Sequence, residues 1–242
     1  MTSEILNGLM VALLALLLTA YGAQAQERLP NAVGFKVHAN ATVTDLETQL
    51  MWMLSDSAAS GAGRYGDGRL NWDESVQWCE NATFGGHSDW RLPDVTELQS
   101  IINVNRTLDE PDALAIEPVF LAQAILLEER GGIDAWPYYW SATHDAEDLM
   151  TGLFAVYVAF EDEAVYVEYP PESGQYELLF IHPAGSPSSV PKRESDWLKV
   201  SATGGLSDLG DAFAPQRSLN LARCVRNESA SVVRRWASVV AP

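Results

Sequence analysis

The sequence predicts an α+β domain in which early helices pack on a mainly antiparallel sheet, with long loops late in the chain. Three observations carry this. Helical periodicity is confined to the first half, period-two alternation takes over from Tyr138, and no β-α-β alternation joins the two. At 242 residues and 47% hydrophobic, the chain can bury a full core, which excludes disordered, collagen-like and small disulfide-stapled classes. A net charge of −18 argues against nucleic acid as a partner, because phosphate repels it.

The first segment reads as an address. Leu9 to Ala20 is apolar apart from Thr19, and Ala23-Gln24-Ala25 supplies an A-x-A cleavage site, so residues 1–25 are expected to be a secretory signal with the mature start at Gln26. The run is shorter than the roughly 20 residues a membrane span needs, so no span is expected in the mature chain. Glu4 and the absence of Lys or Arg before the run leave an uncleaved anchor as the other reading. Export places the protein in the periplasm, outside the cell or on its surface.

Residues 26–41 form a lead-in to the domain expected over 42–228. Thr42 to Thr44 and Leu50 to Leu54 are expected strands around a turn at Asp45-Leu46-Glu47-Thr48. Asn71 caps a helix, with Glu74 as its capping-box partner, and Trp72, Val76, Cys79 and Thr83 fall on one stripe. Asp94 and Glu97 repeat that signature for a second helix with Val95, Leu98 and Ile102 on its apolar face. Val119 to Glu129 reads as a third helix ending at Gly131-Gly132. Strands are expected at Tyr138 to Ala142, Leu153 to Phe160, Ala164 to Tyr169, Glu177 to Ile181 and Leu219 to Val225. Residues 170–215 read as long loops around one short strand, and 229–242 as a basic tail.

Cys79 and Cys224 are the only cysteines, and an oxidising compartment favours pairing them; two buried free thiols are the alternative. Catalytic patterns do not assemble. His38, His87, His144 and His182 show no metal-ligand spacing, and neither a nucleophile elbow nor a phosphate loop is present. The expectation is a protein that is not an enzyme and requires no cofactor.

Gly85-Gly86-His87-Ser88-Asp89-Trp90-Arg91-Leu92-Pro93 resembles the signature of the Lcl C-terminal domain family, named from a collagen-like bacterial adhesin. Val43-Thr44-Asp45, Leu50-Met51-Trp52, Trp72 with Cys79, Glu97-Leu98, Ala115 to Phe120, Tyr139-Trp140-Ser141 and Arg223-Cys224-Val225-Arg226 follow in the family's order. The resemblance spans about residues 42 to 226 and implies a C-type lectin-like fold, in which a first-helix cysteine commonly joins a last-strand cysteine. It also implies a binding role. Within the run, Trp90 and Leu92 alternate with Asp89 and Arg91 as in a strand leading to Pro93, so Asp89, Trp90, Arg91 and Pro93 read as structural, with an Asp89–Arg91 ligand site as the alternative. Gln49 stands where the family's hairpin turn usually carries Gly, so that turn either avoids positive φ or tolerates strain. Val156 replaces a frequent Trp, and Glu163 a frequent turn Gly.

The expected function is an exported binding module for a glycan or surface polymer. The alternative is an interaction subunit of an envelope assembly. The candidate site lies in the long-loop half, where Trp136, Tyr138, Tyr166, Tyr169, Tyr176 and Trp197 accompany Glu161, Asp162 and Glu163. From Gly131 to Pro191 ten acids occur without a Lys or Arg. Aromatic faces stack on sugar rings, and carboxylates accept hydroxyl hydrogen bonds or coordinate a hard cation such as calcium. The resemblance associates the family with sulfated glycans, but uncompensated acids repel these, so a neutral or cationic ligand is expected. The plainer account makes the aromatics core and the acids a solvated face.

Overall fold

A computed structural model of the protein describes residues 34–109, 114–122, 125–127, 133–135, 138–146, 151–161, 163–168, 170, 175–196 and 218–228. The expected signal, the basic tail, Trp136, Tyr169, Asp162 and Trp197 lie outside these. Four strands, β1 (Phe35–Val37), β2 (Thr42–Asp45), β3 (Leu50–Met53) and β11 (Val225–Asn227), make an antiparallel sheet in the order β1-β2-β3-β11. A second sheet has the order β10-β7-β6, from β6 (Tyr139–His144), β7 (Phe154–Val158) and β10 (Pro187–Pro191). Two hairpins, β4 (Ile125–Leu127) with β5 (Ile133–Ala135) and β8 (Glu163–Glu168) with β9 (Tyr176–His182), complete the strands. Helices and antiparallel sheets thus combine as expected of an α+β chain.

Strand alternation divides the core in two. On β3, Leu50 and Trp52 enter one apolar cluster while Met51 and Met53 enter the other. On β6, Tyr139 joins the first and Trp140 the second. Such strands are covered on both faces, so all four β3 residues are buried. Trp140 donates to the Leu70 carbonyl at 2.9 Å and Trp72 to that of Ser141 at 2.8 Å, whereas the buried Trp52 indole N–H has no partner among the described residues.

The expected capping boxes form. Asn71 caps α1 (Trp72–Glu80) reciprocally with Glu74, and Asp94 caps α2 (Val95–Ser100) with Glu97. Helix α1 stops before Thr83, which is exposed, and a short α3 covers Val104–Asp109. Helix α1 is fastened to the end of the chain by a disulfide between Cys79 and Cys224, 145 residues apart, with Cα atoms 5.4 Å apart.

Several expectations need correction. The stretch Val119 to Glu129 is not a helix. Val119 and Phe120 lie in a turn and are buried, and Ile125-Leu126-Leu127 is strand β4. A short apolar run carries no period, and the Gly131-Gly132 pair separates two paired strands rather than ending a helix. Leu219 to Val225 is not one strand either. Asn220 bridges Leu70 and Leu221 bridges Tyr139 before β11 begins, so the chain changes partners between the sheets. Region 170–215 holds β9 and β10 where one strand was expected, and β1 was not anticipated. Gln49 adopts φ 60°: the turn tolerates strain, with the Gln49 carboxamide donating to the Leu46 carbonyl at 2.6 Å.

Candidate functional site

The described surface has an open groove of about 660 Å³ between the outer face of α1 and the segment that follows β3. Helix α1 buries Ser75 and Cys79, leaving Glu74, Gln77, Trp78 and Asn81 on its other side at i, i+3, i+4 and i+7. The facing wall is a 3-10 helix, Ser57–Ser60, which Asp56 caps at its start. Met53, Leu70, Ala62 and Phe84 supply apolar lining between the walls.

The facing wall owes its shape to glycines. Gly61 ends the 3-10 helix at φ 61°, and the Ser57 hydroxyl donates to the Gly68 carbonyl at 2.7 Å. A Cβ on Gly68 would stand 2.2 Å from the Ala58 Cα, so only glycine lets these backbones meet. Below the wall, Arg223 donates to the carbonyls of Met53, Leu54 and Leu121 and to Asp56, whose carboxylate also accepts the Tyr139 hydroxyl at 2.6 Å. Burial, and then the Asp56 charge, push the Tyr139 pKa far above its ordinary value, so the phenol stays a donor.

The groove carries little charge, and what it carries is acidic. Among the described residues neither Lys nor Arg lines it, and the Asp56 charge is met by Arg223 at 3.2 Å. The remaining acid, Glu74, accepts the Asn71 backbone N–H at 2.9 Å. The side chains of Gln77, Trp78 and Asn81 make no hydrogen bond among the described residues. Two carboxamides flanking a half-buried indole can donate and accept at once, over an apolar floor. Among the described residues no group of three or more His, Cys, Asp or Glu is placed to hold a metal ion, and no helix is long and apolar enough to cross a membrane.

Of the residues expected to bind, Tyr138 and Glu161, whose side chains are described, do not line this groove. Tyr138 stacks on Tyr157 with ring centroids 5.0 Å apart and packs against the second core cluster. Glu161 follows β7 and is half-buried. Glu163 and Tyr166 lie on β8 and Tyr176 on β9, where the register sets Tyr176 opposite Glu168 and Tyr166 opposite Leu178. In the signature run, Gly85 and Gly86 form a two-residue turn at φ 62° and 84°, between reciprocal Phe84 and His87 hydrogen bonds. Trp90 and Leu92 are buried, and Pro93 accepts the Ala142 N–H. Asp89 is gripped by both Nε and Nη2 of Arg226, at 2.6 and 3.0 Å, and Arg91 forms a two-pronged pair with Glu97, both bonds 2.6 Å. The Arg226 guanidinium holds the Asp89 carboxyl below its usual range.

Sequence reasoning missed Gln77, Trp78, Asn81 and the glycine wall. A usable signal existed: Trp78 falls off the buried stripe of α1, and Gly61, Gly63, Gly66 and Gly68 recur at short intervals.

Comparison with protein families finds that the model of the Lcl C-terminal domain matches residues 41–181. That span contains α1, the glycine wall and the signature run, and stops short of Cys224. No curated protein and no solved structure matches the chain.

Proposed function

The chain belongs to the Lcl C-terminal domain family, and from that premise we propose that it is an exported, non-catalytic module of lectin-like build that binds a glycan or surface polymer in an adhesin-like role. The observation that carries this reading is the groove beside α1, whose volume lies in the roughly 300–1,000 Å³ range of small-ligand clefts. Its lining pairs aromatic and apolar surface with carboxamides and hydroxyls. Among the described residues it holds no His, Cys or Lys, and its two acids already have partners, which suits retention rather than turnover. The disulfide between α1 and the segment entering β11 supports an oxidising compartment and a lectin-like frame.

A second reading puts the contact on the acidic, aromatic half, with calcium as a bridging ion. The β8–β9 register, which sets Tyr176 opposite Glu168, favours it. A glycan array probed with the exported protein, with and without calcium, tests the proposal. Saturable retention on at least one glycan is the expected result. Retention on none, with an envelope protein co-purifying in fixed ratio, would replace the binding module with an assembly subunit.

A further inference from the structure

We infer that the groove beside α1 is a subsite for uncharged carbohydrate, with Trp78 as the stacking platform and Gln77 and Asn81 as the residues that choose among sugars. The inference rests on the binding-module reading and specifies its ligand. Three features of the walls select that class.

Charge comes first. An anionic polymer would meet no Lys or Arg in the lining, would face Glu74, and would approach a chain of net charge −18. A cationic group would find Asp56 already held by Arg223 and Tyr139. Among the described residues the groove therefore offers no ionic anchor to an anion, and to a cation only the solvent-exposed Glu74, whose pairing in water is weak.

Backbone comes second. A peptide docking as a strand needs an open sheet edge, but both walls are helical. The N–H of Asn81 already bonds the Gln77 carbonyl and that of Gly61 bonds Ala58, closing each wall's last turn. An amphipathic peptide helix would instead cover the Gln77 and Asn81 carboxamides with apolar surface and leave them unsatisfied.

Side-chain chemistry comes third. A sugar ring has an apolar C–H face, which suits the half-buried Trp78 indole, and a hydroxyl edge that both donates and accepts. A carboxamide does the same, and Gln77 and Asn81 lie on either side of Trp78 along one helix face with their hydrogen-bonding capacity open. A site that hydrogen-bonds particular hydroxyls rejects sugars lacking them, so selectivity resides in these two residues. The disulfide at Cys79 and the capping box at Asn71 fix the helix that presents them, which limits the ordering cost of binding.

The test uses the full exported chain on an array of uncharged glucans, mannans and galactans beside heparin. Wild type should be retained by at least one uncharged glycan and not by heparin. Trp78→Ala should weaken that retention at least tenfold. The paired change Gln77→Ala with Asn81→Ala, on exposed side chains, should weaken it several-fold and alter the ranking of sugars, with the melting temperature unchanged. Retention on uncharged glycans that survives both variants would overturn the subsite while leaving the binding module standing. Retention on heparin alone would overturn the ligand class. Retention on no glycan would remove the binding reading and the subsite together.

Discussion

Arg223 donates to Asp56 at 3.2 Å across 167 residues of chain, with neither side chain reaching water. The same guanidinium takes the carbonyls of Met53, Leu54 and Leu121 and lies over the rings of Phe120 and Tyr139. One side chain near the end of the chain thereby fixes the exit of β3 and the cap of the 3-10 helix, which is one wall of the groove. Its neighbour Cys224 fixes the other wall by bonding Cys79 on α1.

Removing one partner of this buried pair should be severe. Asp56→Ala strands the Arg223 charge in the core and frees the Tyr139 hydroxyl, at a cost of about 3–5 kcal/mol. Arg223→Lys should not restore stability, because an ammonium cannot span three carbonyls and a carboxylate. Urea unfolding of both variants measures this, and near wild-type midpoints would contradict it.

The disulfide closes a loop large enough for a stabilisation of up to about 5 kcal/mol. Reduction should lower the melting temperature by as much as about 15 °C for a chain of this size. Calorimetry with and without a thiol reductant reads the shift, and intact mass confirms that two thiols appear.

Gln49 holds a left-handed conformation at φ 60° that glycine adopts without strain. Gln49→Gly loses the bond to Leu46 and some unfolded-state restriction, yet should still gain about 0.5 kcal/mol. The opposite change at the groove wall, Gly68→Ala, brings a Cβ against the Ala58 backbone and should cost about 3 kcal/mol. Thermal melts of the two variants should move in opposite directions.

Glu97 makes stability pH-dependent. Burial pushes its carboxyl up, but the Arg91 guanidinium and the Asp94 N–H outweigh that and hold it below its ordinary value of 4.5. A depressed folded pKa means that the ionised form stabilises the fold above pH 4.5, and that this stability is lost as pH falls through the folded value. Glu97→Gln should therefore be less stable than wild type at pH 7, by about 1 kcal/mol because Arg91 is part-exposed, and the gap should close in acid. Melts from pH 7 to 3 would show it, and a gap independent of pH would contradict it.

Local signals in the sequence were readable where one short segment decides the structure. Asn71 with Glu74 and Asp94 with Glu97 announce their helices because a cap involves four neighbouring residues. The β2–β3 hairpin follows from two short strand-like runs around the turn at Asp45 to Thr48, and the strands at Tyr139 and Phe154 from period two. Ile125-Leu126-Leu127 was misread because three apolar residues fit helix and strand alike, and pairing with Ile133–Ala135 decided the matter. The groove was only faintly marked in the sequence for a related reason. It exists only where α1, the glycine wall and Phe84 meet, and Trp78 looks like one more aromatic until its neighbours are in place. The buried role of Arg223 was hidden too, since nothing local in the sequence distinguishes a buried arginine from an exposed one.

Hydrogen–deuterium exchange of the full chain, with and without the glycan it retains best on the array, tests the central claim most directly. The account predicts that added protection falls on α1 around Gln77 to Asn81 and on the 3-10 helix at Ser57 to Ser60. Protection confined to β8, β9 and the acidic half, with α1 unchanged, would contradict it.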